Sequence, residues 1–272
     1  MPNFEKKNFE QPKEKEQHDR NVNVTVRLIR HGEKDEEGFL SKEGRKEAQN
    51  LGNEFDAKNI KPYVSNKKRV KQTAKEIVEN ANAEEEFKMR EKESLSSSNF
   101  VQGDPADSAF LQKVDERLSE AYETAQDKRE EALKEAEARN VKEWLEYEDE
   151  SPDKVVASPR EIAEGLATRI ETYIHMVDRL KEDSDVDLLN VTHEFMVAAF
   201  IRYFLKQEQE DEIREGEDII EELGYRIPPL GGLNITIEVD ERGEKFIEVK
   251  MNGQEYELDV EKIKKFAASH RN

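Results

Sequence analysis

The stretch Val26 to Glu33, read VRLIRHGE, sets an arginine, a histidine and a glycine in a row at the end of an apolar run. A neutral imidazole nitrogen can attack phosphorus directly, and a guanidinium beside it neutralises nonbridging oxygens whose charge the transition state must carry. Arg30 and His31 stand in that relation, and Gly32 would let backbone approach a bound phosphate with no Cβ in the way. A second histidine, His193, follows the apolar run Asp187 to Thr192 in the same strand-then-histidine arrangement, and Glu194 comes directly after it. Taken alone, Arg-His-Gly at a strand end is more often an ordinary turn than a reactive site, so further matches have to carry the case.

Those matches come as a resemblance. Arg30-His31-Gly32 resembles the signature of the histidine phosphatases, the superfamily that also holds the cofactor-dependent phosphoglycerate mutases. Leu40-Ser41-Lys42-Glu43-Gly44, followed by Ala48, is similar to the family's next segment, Leu-Thr-x-x-Gly. Ser65, Arg69, Gln72, Thr73 and Ala74 resemble its Ser-Pro-x-x-Arg-x-x-x-Thr-Ala region, with a one-residue difference in spacing and Asn66 or Lys67 where proline is usual. Thr192-His193 supplies the second family histidine, so the resemblance runs from residue 22 to about residue 250. It implies hydrolysis of a phosphomonoester through a phosphohistidine on His31, with Arg30, Arg69 and a protonated His193 as phosphate-binding donors. Because these side chains supply the charge, neither a metal nor a cofactor is implied, and the sequence has no dense cluster of metal-ligating residues.

The general acid is less clearly marked. One branch of the family places a glutamate in the loop after the Arg69-type helix, and Met89 to Phe100 offers Glu91 or Glu93 without a clean Leu-x-Glu-x-x-x-Gly. Another branch uses the acidic residue after the second histidine, which is Glu194 here. Glu194 is the first candidate and Glu93 the second. The plain alternative for Glu194 is an acid in a helix's first turn that only complements the macrodipole.

The elements that must hold these residues can be read from periodicity. Val22 to Ile29 predicts a buried strand. Arg45 to Phe55 and Arg69 to Val78 predict helices, with residues 60 to 65 a short strand between them. From Asp104 and Pro105 one long charged helix is predicted, continuing to about Tyr147. Ser158, Pro159 and Glu161 predict a capped helix start, and Asp187 to Thr192 predicts a second buried strand. Strands over 234–239, 245–251 and 256–258 are joined at Arg242-Gly243 and at Asn252-Gly253, the latter a tight-turn signal, before a closing helix. The resulting expectation is a three-layer α/β/α sandwich, phosphoglycerate-mutase-like, with a mostly parallel sheet and a charged helical insertion over about residues 107 to 150.

Composition narrows the partners. A net charge of -20 argues against a broad attraction to nucleic acid or anionic lipid, so a phosphate site has to be a basic island. The absence of cysteine removes disulfides and thiolate metal sites, and no apolar run is long enough to span a membrane, so cytoplasm is the default location. Residues 1 to 21, rich in Lys, Glu and Gln, read as a disordered arm before a domain over 22 to 272. His18, His175 and His270 lie outside any chemical pattern. The substrate could be a phosphorylated small molecule or a phosphoprotein. The alternatives to a phosphatase are a phosphomutase, or a catalytically weak phosphate-binding regulatory or scaffold relative whose helical insertion recruits a protein partner.

Overall fold

Nine residues, Val22–Arg30, form strand β1 in the computed structural model, which describes residues 21–270 apart from 36, 84, 87, 210, 211 and 241. The arm expected over residues 1 to 21 lies outside the described residues except for Asn21. After β1 the chain forms α1 (Lys42–Gly52), β2 (Asn59–Ile60), β3 (Tyr63–Val64), α2 (Lys68–Asn80), β4 (Glu85–Glu86), β5 (Arg90–Glu91) and α3 (Ser97–Phe100). Then come α4 (Ala109–Glu123), α5 (Gln126–Leu145), α6 (Pro159–Met176), β6 (Asp185–Thr192) and α7 (Glu194–Phe204). The last part holds β7 (Leu205–Gln209), β8 (Glu212–Glu215), α8 (Gly216–Glu222), β9 (Gly232–Val239), β10 (Lys245–Met251), β11 (Gln254–Leu258) and α9 (Val260–His270).

The strands make a single sheet in the order β4-β2-β6-β1-β9-β10-β11-β7-β8, with β3 also against β6 and β5 against β3. Pairing is parallel from β4 to β1 and antiparallel from β1 through β9 to β8. The expectation of a mostly parallel sheet is therefore corrected: the sheet is mixed. The reason lies in the connections, because a tight turn can join only antiparallel neighbours. At Asn252 and Gly253 both φ angles are positive, 53° and 77°, as a two-residue hairpin turn that follows the strand twist requires. The β7–β8 hairpin is a further departure from the sequence reading. Its residues are mostly charged, and β7 is held as a strand by pairing with β11.

Helices cover both faces. Val24, Val26 and Leu28 of β1 and Leu188 of β6 join the larger core with α6, α7 and α9, whereas Ile29, Leu189 and Val191 join a smaller core with α1 and α2. Ser41 caps α1 by accepting the Gly44 N–H at 2.9 Å, and Ser158 with Glu161 forms the predicted capping box on α6.

The long helix predicted from Asp104 is two helices. Pro105–Asp107 forms only a 3-10 turn, α4 is capped by Ser108, and the chain leaves helical geometry at Thr124 and Ala125 before α5. The pair is clasped by Arg117 and Lys113 of α4 on Glu143 of α5, and by Arg117 donating to Asn140 Oδ1 at 2.9 Å. This excursion leaves and rejoins the body at one place. Val101 bridges Val156, Gln102 N–H donates to Val155 O at 2.7 Å, and Ala157 N–H donates to Phe100 O at 2.9 Å.

Trp144, at the end of α5, anchors the helix pair. It is fully buried, donates from Nε1 to Ala157 O at 2.9 Å and packs edge-on against Phe100 and Phe195, each at a 5.3 Å ring separation. Trp144→Ala should lower unfolding stability by about 3–5 kcal/mol, the range for truncating a buried tryptophan. The urea midpoint measures it, and a loss under 1 kcal/mol would show that α5 is not anchored there.

Candidate active site

Parallel register brings the chemistry together. Arg30, the last residue of β1, is level with Thr192, the last residue of β6, and His31 N–H donates to Thr192 O at 3.0 Å. His31 and His193 thus leave two adjacent strands at the same height, with ring centroids 5.4 Å apart. On the other side of β6, Val64 is level with Val191, which puts Ser65 beside His193. Arg69 lies in the first turn of α2, just beyond. Four residues expected to bind phosphate or react with it, Arg30, His31, Arg69 and His193, therefore converge at the carboxyl ends of parallel strands, where open α/β sheets hold ligands.

Each imidazole is fixed by its neighbours. His31 Nδ1 lies 2.7 Å from Gly32 O, and since a carbonyl only accepts, the ring proton is on Nδ1 and Nε2 carries the lone pair. Arg69 Nε donates to that lone pair at 2.8 Å. Burial first, then the Arg69 charge, with Arg30 and Lys34 adding, holds the His31 pKa at about 3, so the ring is neutral across ordinary pH. His193 Nε2 is 3.1 Å from Ser65 Oγ, which itself accepts the Lys67 N–H at 3.3 Å. His193 was expected to be protonated. Burial first, then His31, Arg69, Lys67 and Arg30, holds it well below its ordinary value, so it is a neutral ring with one N–H to give.

Gly32 is also required by packing. A Cβ there would fall 2.7 Å from Leu40 Cδ1 and 3.2 Å from Gly44 O, and Gly32 N–H is tied to Thr73 Oγ1 at 3.1 Å. The missing side chain lets the turn after β1 seat against α1 and α2.

Arg30 is almost fully buried and shared between carboxylates. Its NH1 donates to Ile227 O at 2.6 Å and pairs with Glu194 Oε1 at 3.0 Å, while NH2 pairs with Glu137 Oε1 at 3.1 Å. Glu137 reaches down from α5 and also meets Arg226 Nε at 3.5 Å. Glu194 Oε1 additionally accepts the Ile227 N–H at 3.0 Å, so any proton on this carboxyl belongs on Oε2. Burial, against the pull of Arg30 and with help from the nearby Glu137 charge, raises the Glu194 pKa to about 7.

A cavity of about 260 Å³ joins these groups: Arg30, His31, Arg69, His193 and Glu194 all border it. Glu93 and Glu91, the other acid candidates, do not. Both are exposed, and Glu91 pairs with Lys71 at 2.7 Å. His175 and His270 are exposed on the surface, and His18 lies outside the described residues. Three polar residues of the site, Lys34, Glu137 and Asn140, escaped the sequence reading. Lys34, whose pKa is lowered by burial and then by Arg69, follows His31 by three positions and could have been suspected from that spacing. Glu137 carried no signal, being one acid among many on a charged helix. Among the described residues no group of three or more His, Cys, Asp or Glu side chains is placed to hold a metal ion, and no helix is long and apolar enough to cross a membrane.

No curated protein matches the chain by sequence. Solved structures similar to it include a mycobacterial glucosyl-3-phosphoglycerate phosphatase, 13% identical over 89% of this chain and 98% of that one, with a TM-score of 0.44. The Klebsiella sp ASR1 phytase is 15% identical over 85% and 82% of the two chains, with a TM-score of 0.41. A phosphoserine phosphatase from Entamoeba histolytica is 15% identical over 87% and 98%, also with a TM-score of 0.41. Residues 26–100 match the family description Histidine phosphatase superfamily (branch 1). That segment, which contains Arg30, His31, Gly32, Arg69 and Thr73, is the part of the chain that is similar to the histidine phosphatase superfamily.

Proposed function

We propose that this chain hydrolyses phosphomonoesters through a covalent phosphohistidine on His31. The observation that carries the reading is the fixed tautomer of His31: Nδ1 is committed to Gly32 O, so Nε2 is the nucleophilic nitrogen and already sits among cations. Substrate phosphate takes the Arg69 donor away from Nε2 and onto its own oxygens, and Arg30 and the His193 N–H hold the rest of the developing charge. The Nε2–P bond forms as the P–O ester bond breaks, and the leaving oxygen takes a proton from Glu194 Oε2. In the second half, water attacks phosphorus while the Glu194 carboxylate accepts its proton, the Nε2–P bond breaks, and inorganic phosphate departs. A raised pKa suits a group that must give and then take a proton near neutrality.

Three outcomes test this reading. Base-quenched samples should carry phosphate on His31 as a base-stable adduct that acid releases, and His31→Ala should lose both adduct and turnover. Wild-type activity in that variant would sink the nucleophile assignment.

Arg69→Ala and His193→Ala should each lower kcat/KM about a hundredfold, or ~3 kcal/mol, as expected for one donor removed from a preorganised site. Unchanged kinetics in both would dismiss the basic island.

Glu194→Gln should cut turnover of an alkyl phosphate far more than that of an aryl phosphate, whose better leaving group needs little protonation. For the wild type, alkyl phosphate turnover should fall as pH rises through about 7, where Glu194 loses its proton. Glu137→Gln should move that limb to lower pH, because a charge that favours protonated Glu194 is gone. A selective alkyl loss in Glu93→Gln but not in Glu194→Gln would transfer the acid role to the loop.

A further inference from the structure

Two cavities border His31, and they differ in chemistry. The one of about 260 Å³ has Arg69, His193 and Glu194 in its wall; the other, of about 410 Å³, has none of these three and runs instead past Glu33, Glu47, Glu130 and Arg226. If Glu194 protonates the leaving oxygen, the alcohol half of the substrate has to lie on the Glu194 side. Beyond the charged groups that side is apolar. Phe100, Val101, Phe195 and Met196 form its floor, and Leu111, Val114 and Leu118 of α4 form its roof at helical spacing.

We infer that the substrate is a free small phosphomonoester whose alcohol part is one compact apolar group, such as an arylmethyl group, held between the α4 stripe and Phe195. The inference rests on the proposed phosphatase reading, and on Glu194 as its acid. Size supports it: an apolar cavity of about 150 Å³ takes a benzene ring, so 260 Å³ holds a ring and a phosphoryl group but not a nucleoside. Hydrogen bonding supports it as well. Two acceptors that border the cavity are already engaged, Glu137 by Arg30 and Arg226 and Asn140 Oδ1 by Arg117. Each sugar hydroxyl buried there without a partner would lose roughly tenfold in binding. Leu111 and Val114 pack against the main core, so the apolar wall is a fixed part of the fold.

The test uses the purified full chain and leaving groups of matched chemistry. Benzyl phosphate and glucose 6-phosphate both release a primary alcohol, so their ratio of kcat/KM reports the pocket and not the ease of bond breaking. Benzyl phosphate should be favoured by about a hundredfold or more, the loss expected for two or more unpaired hydroxyls. Leu118→Asn should lower kcat/KM for benzyl phosphate about tenfold, as one polar group enters the wall. Glucose 6-phosphate or a sugar bisphosphate turned over as well as benzyl phosphate would overturn the substrate class while leaving the phosphatase reading intact. A phosphotyrosine peptide that outperforms benzyl phosphate would overturn the small-molecule assignment. If no substrate is turned over and no adduct forms on His31, the phosphatase reading fails on its own. Calorimetry then still decides the pocket: benzylphosphonate should bind at least about tenfold tighter than methylphosphonate, and equal affinities would overturn the inference.

Discussion

The parallel pairing of β1 with β6 is the constraint from which the site follows. Eight consecutive residue pairs fix the register, from Asn23 with Asp185 to Arg30 with Thr192, and a slip of one residue would turn every side chain to the opposite face. Both faces are packed, with Val26 and Leu188 on one side and Ile29 and Val191 on the other, so a slip would put the polar alternation into both cores. Because the register is held along the whole strand, the two histidines that follow it inherit their 5.4 Å separation from the sheet. Rigid backbone, and not the loops, sets the spacing on which charge stabilisation depends.

A second theme is how an acidic chain keeps cations at one point. Arg30 is buried among two carboxylates and the Ile227 carbonyl, which offset its desolvation. Arg69 has no such carboxylate among the contacts described here; it faces His31 and the cavity, and its pKa is lowered by burial and then by Arg30. The two arginines thus differ in role. Arg30 is a structural centre that also borders the cavity, whereas Arg69 stands closer to a donor that a phosphate can recruit. The opposed shifts of His31 downward and Glu194 upward have one leading cause, burial, and both favour the uncharged forms.

How much of this was legible in the sequence depends on the range of the interaction. The strand before His31, the capping box at Ser158 and the turn at Asn252-Gly253 are written in contiguous residues and are found as read. Tight turns between the last three strands already implied antiparallel neighbours, although the sheet was expected to be mostly parallel. What contiguous residues do not carry is pairing between distant ones. Leu205 to Gln209 becomes a strand through β11, and Glu137 becomes part of the site only because α5 folds across it. The downward shift of the His193 pKa is not legible in contiguous residues for a related reason, because its depth and its cationic neighbours are tertiary facts.

The closure of the α4–α5 excursion at Phe100 to Gln102 and Val155 to Ala157 has an evolutionary meaning. Since the chain departs and returns through neighbouring backbone, the stretch between can lengthen, shorten or be replaced without rerouting a strand, and longer loops add only slowly to the entropy of closure. His31 and His193 lie on the sheet side of that seam, and the apolar stripe of α4 lies on the excursion. Under the proposed reading, chemistry and selectivity sit on separate pieces of one chain, and changing the second would alter the substrate while the first is kept.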